Sequence, residues 1–487
     1  MTRRIGTASL LRLMGSWLDG TSIPAYRQLA AALRLALLDG RLALDTRLPG
    51  ERDLAANLGL SRTTITAAFA ELRAEGYLAS RQGAASTTTL PAVSSSSVSA
   101  FSTGMPASLF PFGEERLPPV DLTCASLPAG PDVHRAYTAA LSALPSYLGT
   151  TGYASHGIPE ARAAIARRYT ERGLPTRPDE VMIVCGALSA FSLVLRLLTG
   201  PGDRVAVDHP TYPAALAAIR AVSCRPVPVA LPSEGWDLDG LAASFAQTTP
   251  RLAYLLPDQH NPTGRCMDAA TRRAVTAIAA RTRTTLVVDE TMAELWYGEA
   301  PPPPLAAFDE SEQVITIGST SKSIWGGLRL GWIRASARQI AALVRMRDTL
   351  DLGSPILEQL TLVQLLAGSG EEHLNARRAM LRERRDLAVA VLRRLFPDWR
   401  VPVPAGGLCF WIELPRPAAT RLAAIAQSME IELSPGPRFG IGGAFERYLR
   451  LPFTVEPDLL TTTLERLRPA WLRLADTPLD EAWGKVI

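Results

Sequence analysis

Ser319-Thr320-Ser321-Lys322-Ser323-Ile324-Trp325-Gly326-Gly327-Leu328-Arg329 holds one of only two lysines in a chain of 487 residues that carries 51 basic side chains. The other, Lys485, stands almost at the C-terminus, and every remaining basic residue is arginine. A guanidinium stays protonated in proteins, whereas an amine can be made to lose its proton. A deprotonated amine is the group that forms a Schiff base with an aldehyde. Taken alone, Lys322 reads as a stray surface lysine in an arginine-rich chain. Its neighbours reverse that reading.

From Gly157 onward, helical runs alternate with short apolar strands at Val181–Cys185, Arg204–Asp208, Leu252–Leu256, Thr285–Asp289 and Gln313–Gly318. Such alternation predicts an α/β body with a mostly parallel sheet and helices on both faces. In sheets of this kind, functional residues gather on the loops at the C-terminal strand ends. Asp289 ends one strand and can hold a pyridinium nitrogen protonated. Asn261, in Asn261-Pro262-Thr263-Gly264, can donate an amide hydrogen bond to a phenolate oxygen, although the same four residues also form ordinary turns. Cys185-Gly186-Ala187-Leu188 ends a strand and opens a helix, whose backbone N–H groups can bind phosphate. The Ser319 and Ser321 hydroxyls and the bidentate Arg329 guanidinium can join them. Tyr212, in His209-Pro210-Thr211-Tyr212, can stack on an aromatic ring.

This constellation resembles the aspartate aminotransferase-like superfamily, fold type I of the pyridoxal 5′-phosphate proteins, from about Tyr153 to Phe453. The resemblance implies that Lys322 carries the cofactor as an internal aldimine, that Asp289 pairs with the pyridine nitrogen and that Asn261 binds the ring hydroxyl. It further implies that Tyr212 stacks on the ring and that Ser319, Ser321, Arg329, Gly186 and Ala187 hold the phosphate. Arg450, in Tyr448-Leu449-Arg450-Leu451, is similar to the arginine that clamps a substrate carboxylate. Tyr153 is similar to the tyrosine that reaches a neighbouring subunit's phosphate. Gly406–Trp411 resembles the small-domain strand. One departure stands out: relatives place a tyrosine soon after the aspartate, and Asp289-Glu290-Thr291-Met292 has none. Thr291, or Tyr297 folding back, is then the substitute.

The first ninety residues differ in charge from the rest. They hold eleven arginines against seven acidic residues, an excess of four that matches the net charge of the whole chain. A basic module on a near-neutral body points to nucleic acid. Tyr26–Leu38 predicts an amphipathic helix ended by Gly40. Glu51–Leu58 predicts a second helix, and Ser61 caps a third that runs towards Glu75. Tyr77–Arg81 and Ser86–Thr89 predict the strands of a hairpin. Leu48-Pro49-x-x-Arg52-x-Leu54-Ala55, Leu58-Gly59-Leu60-Ser61-Arg62-Thr63-Thr64 and Glu75-Gly76-Tyr77-Leu78 resemble the winged helix-turn-helix of the GntR family. That resemblance implies DNA contacts from Arg52, Ser61, Arg62, Thr63 and Thr64, with Gly83 at the wing tip. Gly50 replaces the usual serine, which predicts a looser helix cap, and the wing lacks the usual Gly-x-Gly-Thr run.

The expected organisation is a DNA-binding domain over residues 1–89, a Ser/Thr/Ala/Pro-rich flexible linker over 90–119 and an aminotransferase-like body with a smaller α+β C-terminal domain over 120–487. Together these parts resemble the MocR subfamily of regulators. The resemblance implies a homodimer that binds a double-stranded DNA operator and responds to pyridoxal 5′-phosphate, an amino acid or an amine. The alternative is a working aminotransferase with a DNA-binding head. Five scattered cysteines and five unclustered histidines predict neither a disulfide framework nor a metal site. No apolar run is long enough for a membrane span, and no signal-peptide pattern opens the chain, so a soluble cytoplasmic protein is expected.

Overall fold

The computed structural model describes residues 3–14, 17–18, 24–38, 42, 46–79, 86–89, 119–232, 235–368 and 370–475. The chain divides into two compact units, Met1–Pro118 and Pro119–Ile487. The predicted linker lies outside the described residues except for Pro119, as do Gly40 and the wing-tip Gly83.

In the first unit, helices α1 (Thr7–Met14), α2 (Ala25–Leu38), α3 (Glu51–Leu58) and α4 (Arg62–Ala74) pack beside four two-residue strands. These are β1 (Arg3–Arg4), β2 (Thr46–Arg47), β3 (Leu78–Ala79) and β4 (Thr87–Thr88), in the order β1-β2-β4-β3. Leu29, Leu33, Leu54, Ile65, Phe69 and Leu72 are buried at helical spacing and form one core with Leu10 and Leu78. Gly59 adopts φ 64°, which closes the turn between α3 and α4 while its N–H caps the Ala55 carbonyl. Gly50 at the start of α3 offers no side-chain cap. Ser61 does: its Oγ accepts the Thr64 N–H at 3.1 Å. The hairpin pairs Leu78 with Thr88 and Ala79 with Thr87. Strand β1 and helix α1 carry no periodic signal that sequence reading used, and β1 is held by parallel pairing to distant β2.

The second unit contains β5 (Val120–Asp121), β6 (Val181–Val184), β7 (Arg204–His209), β8 (Arg225–Ala230), β9 (Leu252–Leu255), β10 (Thr285–Asp289), β11 (Val314–Ser319), β12 (Gly331–Arg334), β13 (Cys409–Glu413), β14 (Ile431–Glu432), β15 (Ser434–Pro435) and β16 (Tyr448–Pro452). Seven of them form one sheet in the order β6-β12-β11-β10-β9-β7-β8. β12 runs antiparallel to both neighbours, and the other pairings are parallel. The central strands are apolar along nearly their whole length because helices cover both faces, giving two cores. Edge strand β8 alone among the seven holds two prolines, Pro226 and Pro228, where ladder donors are dispensable. A smaller α+β layer sets the antiparallel sheet β13-β16-β15 against the long helices Gly370–Leu395 and Pro457–Ala475. Phe396, Trp399, Phe410, Phe453 and Trp471 fill its core. Strand β5 joins this layer by pairing with β14.

Candidate functional site

The loops after β6, β7, β9, β10 and β11 converge at the C-terminal edge of the large sheet. They enclose a cavity of about 300 Å³ lined by Gly186, Ala187, Tyr212, Asn261, Asp289, Ser319, Ser321, Lys322 and Arg329. Nine residues singled out from separate strand ends therefore meet in one place.

Lys322 sits on a π-helical turn, Ser321–Trp325, directly after β11. Wider turns of this kind push one side chain out of helical register and recur at functional sites. Burial lowers the Lys322 pKa; Arg450 acts in the same direction, while Cys124, Cys409 and Asp289 oppose it. The ammonium nitrogen donates to the Ala125 carbonyl at 2.8 Å. Asp289, almost fully buried, accepts from the Tyr254 hydroxyl at 2.6 Å and from the Thr291 N–H at 2.9 Å. Burial, then the charge of Asp289, lifts the Tyr254 phenol well above its usual range, so it stays a donor. Its ring packs on Phe191 with centroids 4.5 Å apart. Sequence reading missed Tyr254. The available signal was a phenol inside an otherwise apolar buried strand, Leu-Ala-Tyr-Leu, which demands a polar partner.

The phosphate end is shaped by close backbone approach. Gly186 opens the helix Ala187–Leu198 at φ 93°. A Cβ on Gly331 would lie 2.6 Å from the Gly186 carbonyl carbon, so only glycine lets β12 pass behind that loop. Ser319 Oγ lies 3.1 Å from both Ser321 Oγ and the Leu330 carbonyl, and Arg329 reaches towards Gly186. The helix N-terminus, two hydroxyls and a guanidinium together form a donor set that could hold a phosphate. At the ring end stand Tyr212, whose pKa burial raises, Asn261 and Asp289. Thr291 Oγ1 and Asp258 Oδ2, both buried beside the cavity, have no hydrogen-bond partner among the described residues. The residues present thus fit a phosphorylated pyridine aldehyde.

Two further residues do not line the cavity of this chain: Tyr153, expected at a neighbouring subunit's phosphate, and Arg450. Tyr153 is 70% exposed and outside the cavity. Arg450, only 7% exposed, lies behind the lining with its guanidinium 5.1 Å from the Phe439 ring and Nη2 donating to the Thr123 carbonyl. The suggestion that Tyr297 folds back is corrected: its hydroxyl donates to the Gly407 carbonyl within the small-layer core. Thr291 and Met292 line the cavity instead.

In the first unit, Arg52, Ser61, Arg62 and Thr63 are exposed and Thr64 is half-buried, all at or near the start of α4 or on α3. The Ser61 hydroxyl also lies 2.7 Å from Thr63 Oγ1 and 2.8 Å from Thr64 Oγ1, so it orders the first turn. Thr66 donates to Glu51 at 2.7 Å and ties α3 to α4. Among the described residues, no helix is long and apolar enough to cross a membrane and no acidic, His or Cys cluster could hold a metal ion.

Residues 131–467 match the family described as aminotransferase class I and II, and residues 25–87 match the bacterial regulatory proteins of the gntR family. The chain is 29% identical over 453 residues to the HTH-type transcriptional regulator YdcR of Escherichia coli, covering 87% of this chain and 94% of that one. It is 27% identical to the probable rhizopine catabolism regulatory protein MocR of Rhizobium meliloti, over 94% and 97% of the two chains. Among solved structures, LysN, an α-aminoadipate aminotransferase of Thermus thermophilus complexed with N-(5′-phosphopyridoxyl)-L-leucine, superposes with a TM-score of 0.67 at 28% identity. The match covers 73% of this chain and 93% of that one.

Proposed function

Since the chain belongs to the aminotransferase class I and II family and carries a gntR-family regulatory domain ahead of it, we propose that it is a transcription regulator whose body senses pyridoxal 5′-phosphate, an amino acid or an amine at Lys322. Pyridoxal 5′-phosphate is the cofactor that family membership implies, and when bound it supplies an aldehyde that condenses reversibly with amines. The chain's own residues do the rest. Arg329, Ser319, Ser321 and the N–H groups at Gly186 and Ala187 grip a phosphate. Tyr212 flanks the ring, Asn261 donates to its oxygen, and Asp289 offers a carboxylate that Tyr254 and Thr291 keep in place. Arg450 recognises a carboxylate on the effector. Arg52, Ser61, Arg62, Thr63 and Thr64 address the operator, with α4 in the major groove.

The observation that carries this reading is the half-buried, pKa-lowered Lys322 amine in one cavity with groups able to hold a phosphate and a ring, on the same chain as an exposed helix-turn-helix. A Lys322→Ala chain mixed with pyridoxal 5′-phosphate should lose the visible absorbance that the native chain acquires; equal absorbance in both would refute the assignment. The enzyme reading is separated by turnover. Amino donors with a keto acid should give rates far below about 1 s⁻¹, in keeping with Thr291 and Met292 standing where relatives carry a phenol. We further propose a homodimer. Tyr153, Leu148, Leu188, Leu350 and Leu352 are exposed large apolar residues on the same unit as the cavity, and a second copy would cover them.

A further inference from the structure

The segment between Pro119 and Pro131 crosses the site as a strap, and its alternation gives it two jobs. Val120, Leu122, Ala125 and Leu127 are buried in the small-layer core. Val120 and Leu122 donate backbone N–H bonds to Glu430 and Glu432, each at 2.9 Å. Backbone carbonyls of the same segment turn towards the site. The Thr123 carbonyl takes the Arg450 Nη2 bond, and the Ala125 carbonyl takes the Lys322 ammonium at 2.8 Å. Ser126 lines the cavity. Beyond it, Arg377 grips both the Pro128 carbonyl at 2.8 Å and the Ile324 carbonyl at 2.6 Å, which fastens the far end of the strap to the Lys322 turn. One strap therefore holds both the amine and the guanidinium through neutral backbone oxygens. A carbonyl is a weaker partner for a guanidinium than a carboxylate is, and an amine that has condensed with an aldehyde no longer offers three donors.

Resting on the reading that Lys322 and Arg450 are the ligand-binding groups, we propose that the strap is a built-in competitor at this site. The Thr123 carbonyl holds the place of an effector carboxylate at Arg450 of β16, within the small layer, and the Ala125 carbonyl that of an amine-capturing aldehyde at Lys322, so aldehyde capture unties the strap from the large sheet and carboxylate capture frees its Thr123 end. Its apolar face remains in the small-layer core, so the strap follows that layer and does not detach. The change reaches residue 119, from which the chain continues backwards in sequence to the regulatory domain.

Cys124 stands between the two carbonyls and is exposed, so it can carry a reporter. In the full-length chain with Cys185, Cys224, Cys266 and Cys409 replaced by alanine, a nitroxide on Cys124 should become more mobile when pyridoxal 5′-phosphate is added. It should become more mobile again when maleate, a dicarboxylate without an amine, follows. Arg450→Gln should remove the maleate response alone. Absorbance recorded on the same samples separates the two claims. If the cofactor binds and the nitroxide spectrum does not change, the strap proposal is wrong; if no cofactor binds to the native chain, the reading of the site itself is wrong. An unlabelled Asp121→Ala chain gives a second measurement. Asp121 Oδ1 accepts the Thr123 N–H and hydroxyl, each at 2.6 Å, so its loss loosens the strap and should tighten maleate binding about threefold. Unchanged or weaker binding would count against competition.

Discussion

Asp208 lies fully buried one residue before the end of β7, and its titration makes the sheet's stability answer to pH in a calculable way that replacement by asparagine removes. Its Oδ2 accepts the Leu256 N–H at 3.1 Å and lies 3.7 Å from His260 Nε2. Burial and Arg265 push the His260 pKa down to about 3, so the imidazole is neutral and supplies no counter-charge. Burial pushes the Asp208 carboxyl from 3.8 up to about 7. A carboxyl whose folded pKa is raised contributes its full stability below the unfolded value, loses it progressively as pH rises, and has lost it all above the folded value. At about 1.4 kcal/mol per pH unit, the loss reaches about 4 kcal/mol by about pH 8, of which less than half is already gone by about pH 5. The amide that Asp208→Asn introduces keeps an oxygen for the Leu256 N–H and does not titrate. The stability gap between Asp208→Asn and the native chain should therefore open in the variant's favour by about 2–3 kcal/mol between these pH values, or a few degrees in melting temperature. Any cost of the new amide group is common to both pH values and cancels in the difference. Melting curves of both chains at the two pH values decide it. A gap that stays constant, or closes as pH rises, would refute the claim that Asp208 is held protonated without a cationic partner.

Two further outcomes concern the regulatory domain. Arg62→Ala should weaken operator binding and reduce the slope of log affinity against log salt by about one phosphate's worth; an unchanged footprint and slope would remove Arg62 from the interface. Ser61→Ala deletes the cap on the Thr64 N–H and should destabilise that domain by about 1 kcal/mol, read by circular dichroism during urea unfolding of the full chain. A cost near zero would mean that the Thr63 and Thr64 hydroxyls replace the cap.

The residues that were legible in the sequence share one property: each sits at a strand end or helix start, where a few neighbouring residues state the chemistry. Lys322, Asp289, Asn261, Gly186 and Arg329 could be found that way, and the sheet brings them to one cavity. The residues that were not legible owe their role to pairing between distant segments. Tyr254 meets Asp289 only because β9 and β10 lie in parallel register with Val287 opposite Tyr254. Ala125 and Thr123 lie 197 and 327 residues from their partners, and they act through backbone carbonyls, which any residue type would supply. Tyr297 was misjudged for the same reason: its phenol is claimed by Gly407, 110 residues away. The small β1 strand, two arginines long, has no pattern of its own and exists through its ladder to β2.

The strap's chemistry also sets how large a signal the site can send. Moving a two-state protein almost completely from one form to the other takes roughly 5 kcal/mol of differential binding. A hydrogen bond to a charged group contributes about 1.5–3 kcal/mol and one to a neutral group about 0.5–1.5 kcal/mol; the strap makes one to the Arg450 guanidinium and one to the Lys322 amine, whose pKa burial lowers. Either bond alone falls short of a full switch; the two together approach its scale. On the strap proposal, a ligand that engages only the amine would shift the equilibrium part of the way, and one that also presents a carboxylate to Arg450 would carry it further. On that proposal the body would distinguish an aldehyde alone from an aldehyde accompanied by a carboxylate. No turnover would be needed for this, because each strap bond would be broken by binding.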